Sequence, residues 1–185
     1  MKKTSLLLVA GITACTSFFV ACNKNDDPPM PTAMTLYDSL GGTAMVTDPA
    51  NTSMQIEQGR LGIRSVVDST IFVIAADPEL NPYFATLLAE VTAGDLSGFQ
   101  MLSDNLTDFL CVATGATNFT YDGLNMVDAH DPAKNPRMSG KADDADFDQF
   151  IADVVVGAQK NALPDYLIAR VGALLETLRD PVVQQ

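Results

Sequence analysis

Beyond residue 35, apolar residues recur at spacings of three and four, and no stretch sustains alternation with β-branched enrichment. That pattern restricts the chain to amphipathic helices, so the expected fold class is all-α. From Ile63 to Ala76 one face carries Ile63, Val66, Val67, Ile71 and Ile74, and Asp77-Pro78 ends the helix. From Asp95 to Ala113 a longer helix is expected, with Leu96, Phe99, Leu102, Leu106, Phe109 and Leu110 as its inward stripe. A short first helix, TLYDSL, is closed by Gly41-Gly42, where glycine tolerates the left-handed conformation. Two further helices are expected over Ala145 to Asn161 and Pro164 to Arg179, Pro164 suiting a first turn and Asp165 complementing its dipole. The polar segment TAMVTDPANTSMQIEQGRLG, broken at Pro49, reads as a loop or short helix, and DPAKNPRMSGKADDAD is too polar and too rich in breakers for a core.

The chain opens differently. MKKTSLLLVAGITACTSFFVAC has a basic start at Lys2 and Lys3, then an apolar run to Ala21 interrupted by Gly11, Thr13 and Cys15, which reads as an export signal over residues 1 to 21. FVAC resembles the lipobox of bacterial lipoproteins, whose cysteine is lipidated and becomes the new N-terminus; here that is Cys22. ITAC, ending at Cys15, is a second candidate, and an ordinary secretory signal is the alternative. Residues 22 to 35, rich in Asp and Pro, read as a flexible tether, leaving 36 to 185 as the domain. The expected location is periplasmic or membrane-anchored, with the membrane reached only through the lipid. Of three cysteines, Cys111 alone falls within the domain, as a small buried apolar side chain, so no disulfide framework is expected.

Charge and histidine count exclude more. With 23 Asp+Glu against 11 Lys+Arg, a net charge of −12 and a pI near 4.2, the chain lacks the basic stripe that phosphate backbones require, so nucleic acid is not an expected partner. A single histidine, His130, excludes every site needing two imidazoles, including HExxH zinc enzymes and di-iron bundles. ADDADFD lacks the alternating ligands and glycine of a calcium loop and reads as a helix start. No phosphate loop, nucleophile elbow or internal repeat is present.

Several segments, in order, resemble the truncated hemoglobins, most closely the group numbered one. TLYDSLGG is similar to that family's opening helix and glycine pair, and RSVVDSTIFVIAADPELNPYF to its second helix and aromatic corner. DFLCVATGA resembles the end of the distal helix, and YDGLNMVDAH the run that ends in the proximal histidine. The likeness spans roughly residues 36 to 180, less two insertions, one after Gly42 and one after His130 containing Pro132 and Pro136. It implies a two-over-two helical sandwich around haem b, with His130 as the iron ligand. It also implies haem contacts from Met126, Phe84, Phe109, Leu110 and Phe147. The residue chemistry agrees: haem iron needs one neutral axial nitrogen, and the porphyrin an apolar slot. Met126 lies four residues before His130, on the same helical face.

Many relatives slow oxygen release with a tyrosine on the second helix and a glutamine on the distal helix. By the resemblance those positions fall here on Ile71, Leu102 and Leu106, which implies an apolar distal pocket with fast oxygen release. Thr70, Tyr83 and Asn105 are neighbouring residues that carry a donor. The implied partners are a diatomic gas (oxygen, nitric oxide or carbon monoxide) and an unidentified reductase. A haem-based nitric oxide dioxygenase or peroxidase ranks below simple binding, because no polar distal acid or base is offered. The other reading is a haem-free globin-fold envelope sensor or interaction module.

Overall fold

The computed structural model describes residues 33–185; the expected leader, Cys22 and most of the tether lie outside them. Thr35 starts the first helix, α1 (Leu36–Ser39), with a capping box: its hydroxyl accepts from the Asp38 amide while Asp38 returns a bond to the Thr35 amide. Beyond Gly42 the chain forms a hairpin, β1 (Met45–Asp48) and β2 (Asn51–Glu57), antiparallel with Val46 opposite Ile56 and an irregularity between Thr47 and Asp48. The Asp48 carboxylate accepts from the Ala50 amide at 2.8 Å and so builds the turn around Pro49. This corrects the expected loop or short helix. The two strands lie mostly exposed and only Ile56 is buried, so no alternation of apolar residues marks them.

The second helix, α2 (Gln58–Ala76), starts one turn before its expected position at Ile63. Its first five residues include Gly59 and Gly62, which are poor helix formers. Tertiary packing requires the first of them: a Cβ on Gly59 would lie 2.8 Å from the Tyr37 ring and 3.0 Å from the Gly42 nitrogen. A 3-10 turn, Asn81–Phe84, then leads into α3 (Ala85–Thr92) and α4 (Ser97–Ala113). The remainder comprises α5 (Met126–His130), α6 (Asp144–Lys160), α7 (Asp165–Glu176) and α8 (Arg179–Val182). Asp143 caps α6 with its own capping box through Asp146, as the acidic start suggests, and Pro164 stands at the N-cap of α7. The described chain is therefore mostly helical, with one small two-stranded sheet.

Helix α2 packs on α6 along one side and on α4 along the other. One buried cluster joins Tyr37, Ile63, Val67, Ile71, Leu87 and Cys111; another joins Val154, Val171 and Leu175 of α6 and α7. At Gly157 the α2–α6 crossing becomes backbone-close, since a Cβ there would lie 2.9 Å from the Thr70 nitrogen and 3.0 Å from its Cα. Two ion pairs hold the flanks of α2: Arg64 grips Asp48 of the hairpin through both terminal nitrogens, and Arg60 pairs with Asp108 of α4.

Helix α4 departs from the expected packing. Its fully buried line is small and polar, comprising Gly98, Ser103, Thr107 and Cys111, whereas Phe99, Leu102, Leu106, Phe109 and Leu110 are only half-buried and Leu96 is 53% exposed. Leu96 lies just ahead of the first helical turn, which removes it from the stripe. The remaining large apolar side chains share a flank that the chain itself covers only in part.

Candidate functional site

His130 ends the five-residue helix α5, which Asn125 caps by accepting from the Asp128 amide at 3.0 Å. The imidazole is half-buried. Its Nδ1 lies 2.8 Å from the Met126 carbonyl oxygen one turn earlier. A carbonyl only accepts, so Nδ1 carries the proton and the neutral ring's lone pair is on Nε2. Burial lowers the imidazole pKa below its ordinary value, partly opposed by the bond to Met126, and so favours that neutral form. The ring thus presents one oriented nitrogen lone pair, which is the donor a haem iron or other imidazole-binding metal requires. Among the described residues no group of three His, Cys, Asp or Glu is arranged to hold a metal ion, so His130 would have to share one with a non-protein ligand set. A porphyrin supplies such a set.

The chain after His130 is anchored rather than loose. Asn135 donates from Nδ2 to the Ala129 carbonyl at 2.8 Å, and the Lys134 and Asn135 amides donate to the Asp131 carbonyl. The Ser139 amide reaches the Tyr83 carbonyl at 3.2 Å, and the Tyr83 hydroxyl donates to Asp146 at 2.7 Å. The insertion containing Pro132 and Pro136 therefore ties α5 to the corner and to α6.

Five residues singled out in the sequence come together: Phe84, Leu102, Leu106 and Leu110 pack against the cluster that contains buried Ile71. Phe109 instead stacks edge-on to Tyr121, with centroids 5.4 Å apart. Phe147 is buried in α6 beside Phe150, with the Arg179 guanidinium over its ring at 4.5 Å. Met126 and His130 are outside that cluster, on α5, which packs on α8. Of the possible donors near the apolar positions, the Thr70 hydroxyl donates to the Val66 carbonyl, the Tyr83 hydroxyl is taken by Asp146, and Asn105 is exposed. Cys111 is fully buried, and burial pushes its thiol up to about 11 despite the nearby Arg60, so it stays protonated.

Two buried oxygens that the spacing does not mark lack a partner among the described residues, Thr107 Oγ1 and Asp153 Oδ2. Asp153, 4% exposed, sits with Asp77 around the Gln149 amide, which donates 2.5 Å to Asp77 and 3.3 Å to Asp153. Burial, and then the Asp77 charge, raise the Asp153 pKa above its ordinary 3.8. The folded chain consequently binds a proton there more readily than the unfolded chain. Stability from this residue is present at low pH and is lost as pH rises through the folded value. Asp153→Asn, which donates to Asp77 and still accepts from Gln149, is expected to stabilise the fold at pH 7 by about 1 kcal/mol, roughly 2–4 °C in a melt. It should also flatten the decline in Tm between pH 4 and pH 7; an unchanged slope would exclude Asp153 as its source.

No family model matches the chain, and no curated protein matches it. Among the described residues, no helix is long and apolar enough to cross a membrane.

Proposed function

We propose that this chain is a haem-binding globin of truncated type, exported and tethered through Cys22, which binds a diatomic gas. The observation that carries the reading is the His130 ring, fixed by the Met126 carbonyl so that Nε2 is the free lone pair. The half-buried apolar flank formed by Phe84, Leu102, Leu106 and Leu110 beside Ile71 supplies the kind of wall a porphyrin needs. Phe109, Met126 and Phe147 are the further contacts that the family resemblance suggests. When bound, haem supplies an iron whose remaining position takes the gas. The chain's own work is to hold the ring in one tautomer, to exclude water with apolar side chains, and to leave the opposite side without an imidazole, since no second histidine exists. An external reductase would return the iron to its ferrous state.

Titration of hemin into the purified chain tests this reading. A sharp Soret band saturating at one haem per chain supports it, and the lack of any saturable band overturns it in favour of a haem-free module. In the loaded protein, oxygen release should be fast, because Ile71, Leu102 and Leu106 donate no hydrogen bond. Leu106→Gln is expected to slow release by roughly tenfold or more, given about 1.5–3 kcal/mol for a bond to a charged acceptor. Carbon monoxide release should change far less. Slow oxygen release in the unaltered chain, measured by stopped flow, would contradict the apolar pocket.

A further inference from the structure

Between α2, α6 and α7 lies an apolar cavity of about 220 Å³, walled by Ile63, Val66, Ile151, Val154, Ile168 and Val171. Gly172, inside α7, also lines it. A glycine in a helix interior weakens the helix relative to alanine and is normally retained where another backbone comes close. Gly157 meets that condition; Gly172 does not, since a Cβ built on it meets nothing within 4 Å. Packing among the described residues therefore gives no reason for the glycine, and its effect is to keep the space open. The space opens in part to solvent, so its apolar lining is left facing water rather than protein, which is also unfavourable. Both costs fall at the same place.

The lining decides what the space accepts. Among the described residues no charged side chain lines it, and the hydroxyl and amide N–H donors that line it are taken up within the chain. The Ser65 hydroxyl donates to the Leu61 carbonyl at 2.9 Å and the Thr114 hydroxyl to the Leu110 carbonyl at 2.6 Å. The Asn161 amide nitrogen is shared among the Ser65 carbonyl, the Ser69 hydroxyl and the Gly157 carbonyl. Sugars, nucleotides and carboxylates would be stripped of water there without replacement bonds. We infer that the cavity beside Gly172 is a binding site for a small uncharged apolar organic molecule, an aromatic or branched hydrocarbon skeleton of about six to ten heavy atoms. The inference does not rest on haem binding at His130, because no residue of α5 lines the cavity and it shares only Leu110 with the proposed haem wall.

The test uses the full chain with methyl-labelled Ile, Leu and Val, titrated with benzene and with indole and followed by NMR. Saturable shifts confined to methyl groups that line the cavity are expected, chiefly those of Ile63, Val66, Ile151, Val154, Ile168 and Val171. Gly172→Leu, which fills the space, should keep the fold by circular dichroism, should not lower Tm, and should weaken both probes at least tenfold. Should that variant not fold, Val155→Leu decides by the same criterion, and Gly172→Ala should weaken indole more than benzene. The inference is overturned if neither probe gives saturable shifts up to its solubility, if the shifts fall on other methyl groups, or if a folded filled variant binds unchanged. Uptake of xenon alone, with no organic probe bound, overturns it as well.

Discussion

His130→Gly is expected to abolish the sharp Soret band of the hemin-loaded chain, and free imidazole to restore it. The variant removes the one oriented nitrogen lone pair that the described residues offer, while the Met126 carbonyl that fixes the ring belongs to the backbone and remains. Added imidazole can occupy the emptied volume and donate to that same carbonyl, so rescue reports on ligation rather than on folding. Met126→Leu keeps the carbonyl and should keep the band. A His130→Gly spectrum identical to that of the unaltered chain would remove His130 from the site altogether. Circular dichroism should show little change in either variant, because α5 contributes only five helical residues.

Gly157→Ala is expected to lower the unfolding free energy by about 3 kcal/mol, roughly 6–12 °C in a thermal melt, at the upper end of what overpacking costs. The added methyl would meet the Thr70 nitrogen at 2.9 Å and its Cα at 3.0 Å, and backbone cannot rotate away as a side chain can. Relief requires α2 and α6 to separate along their shared face, which disturbs buried Ile71, Ile74 and Val154. Gly172→Ala supplies the control: the same substitution in a neighbouring helix meets open space and should stabilise by about 0.5–1 kcal/mol. Equal melting temperatures for the two variants would refute the close crossing.

These two glycines show what the sequence makes legible. Spacing places Ile63, Val66, Val67, Ile71 and Ile74 on one face of α2, and all but Val66, which is half-buried, are buried. Acidic residues before Phe147 announce the cap of α6, and Pro164 the start of α7. Yet both glycines look alike in sequence, because what separates them is the neighbouring helix. Periodicity likewise groups Phe99, Leu102 and Leu106 on α4 without telling whether protein covers them, and they prove half-buried behind a buried line of Ser103, Thr107 and Cys111. The hairpin at residues 45–57 escapes because its side chains mostly face solvent, so nothing in the apolar pattern records it. His130 stands out by its rarity, but its tautomer depends on a backbone carbonyl, which has no signature among side chains.

The smallness of α5 also governs when the site comes into being. A helix of five residues does not hold itself together in water, and this one leans on α8 and on Gln184, whose side chain donates 2.7 Å to the Val127 carbonyl. That contact closes a span of 57 residues, after α6 and α7 have been laid down between its ends. The platform beneath the imidazole is therefore incomplete on a nascent chain until residue 184 has emerged.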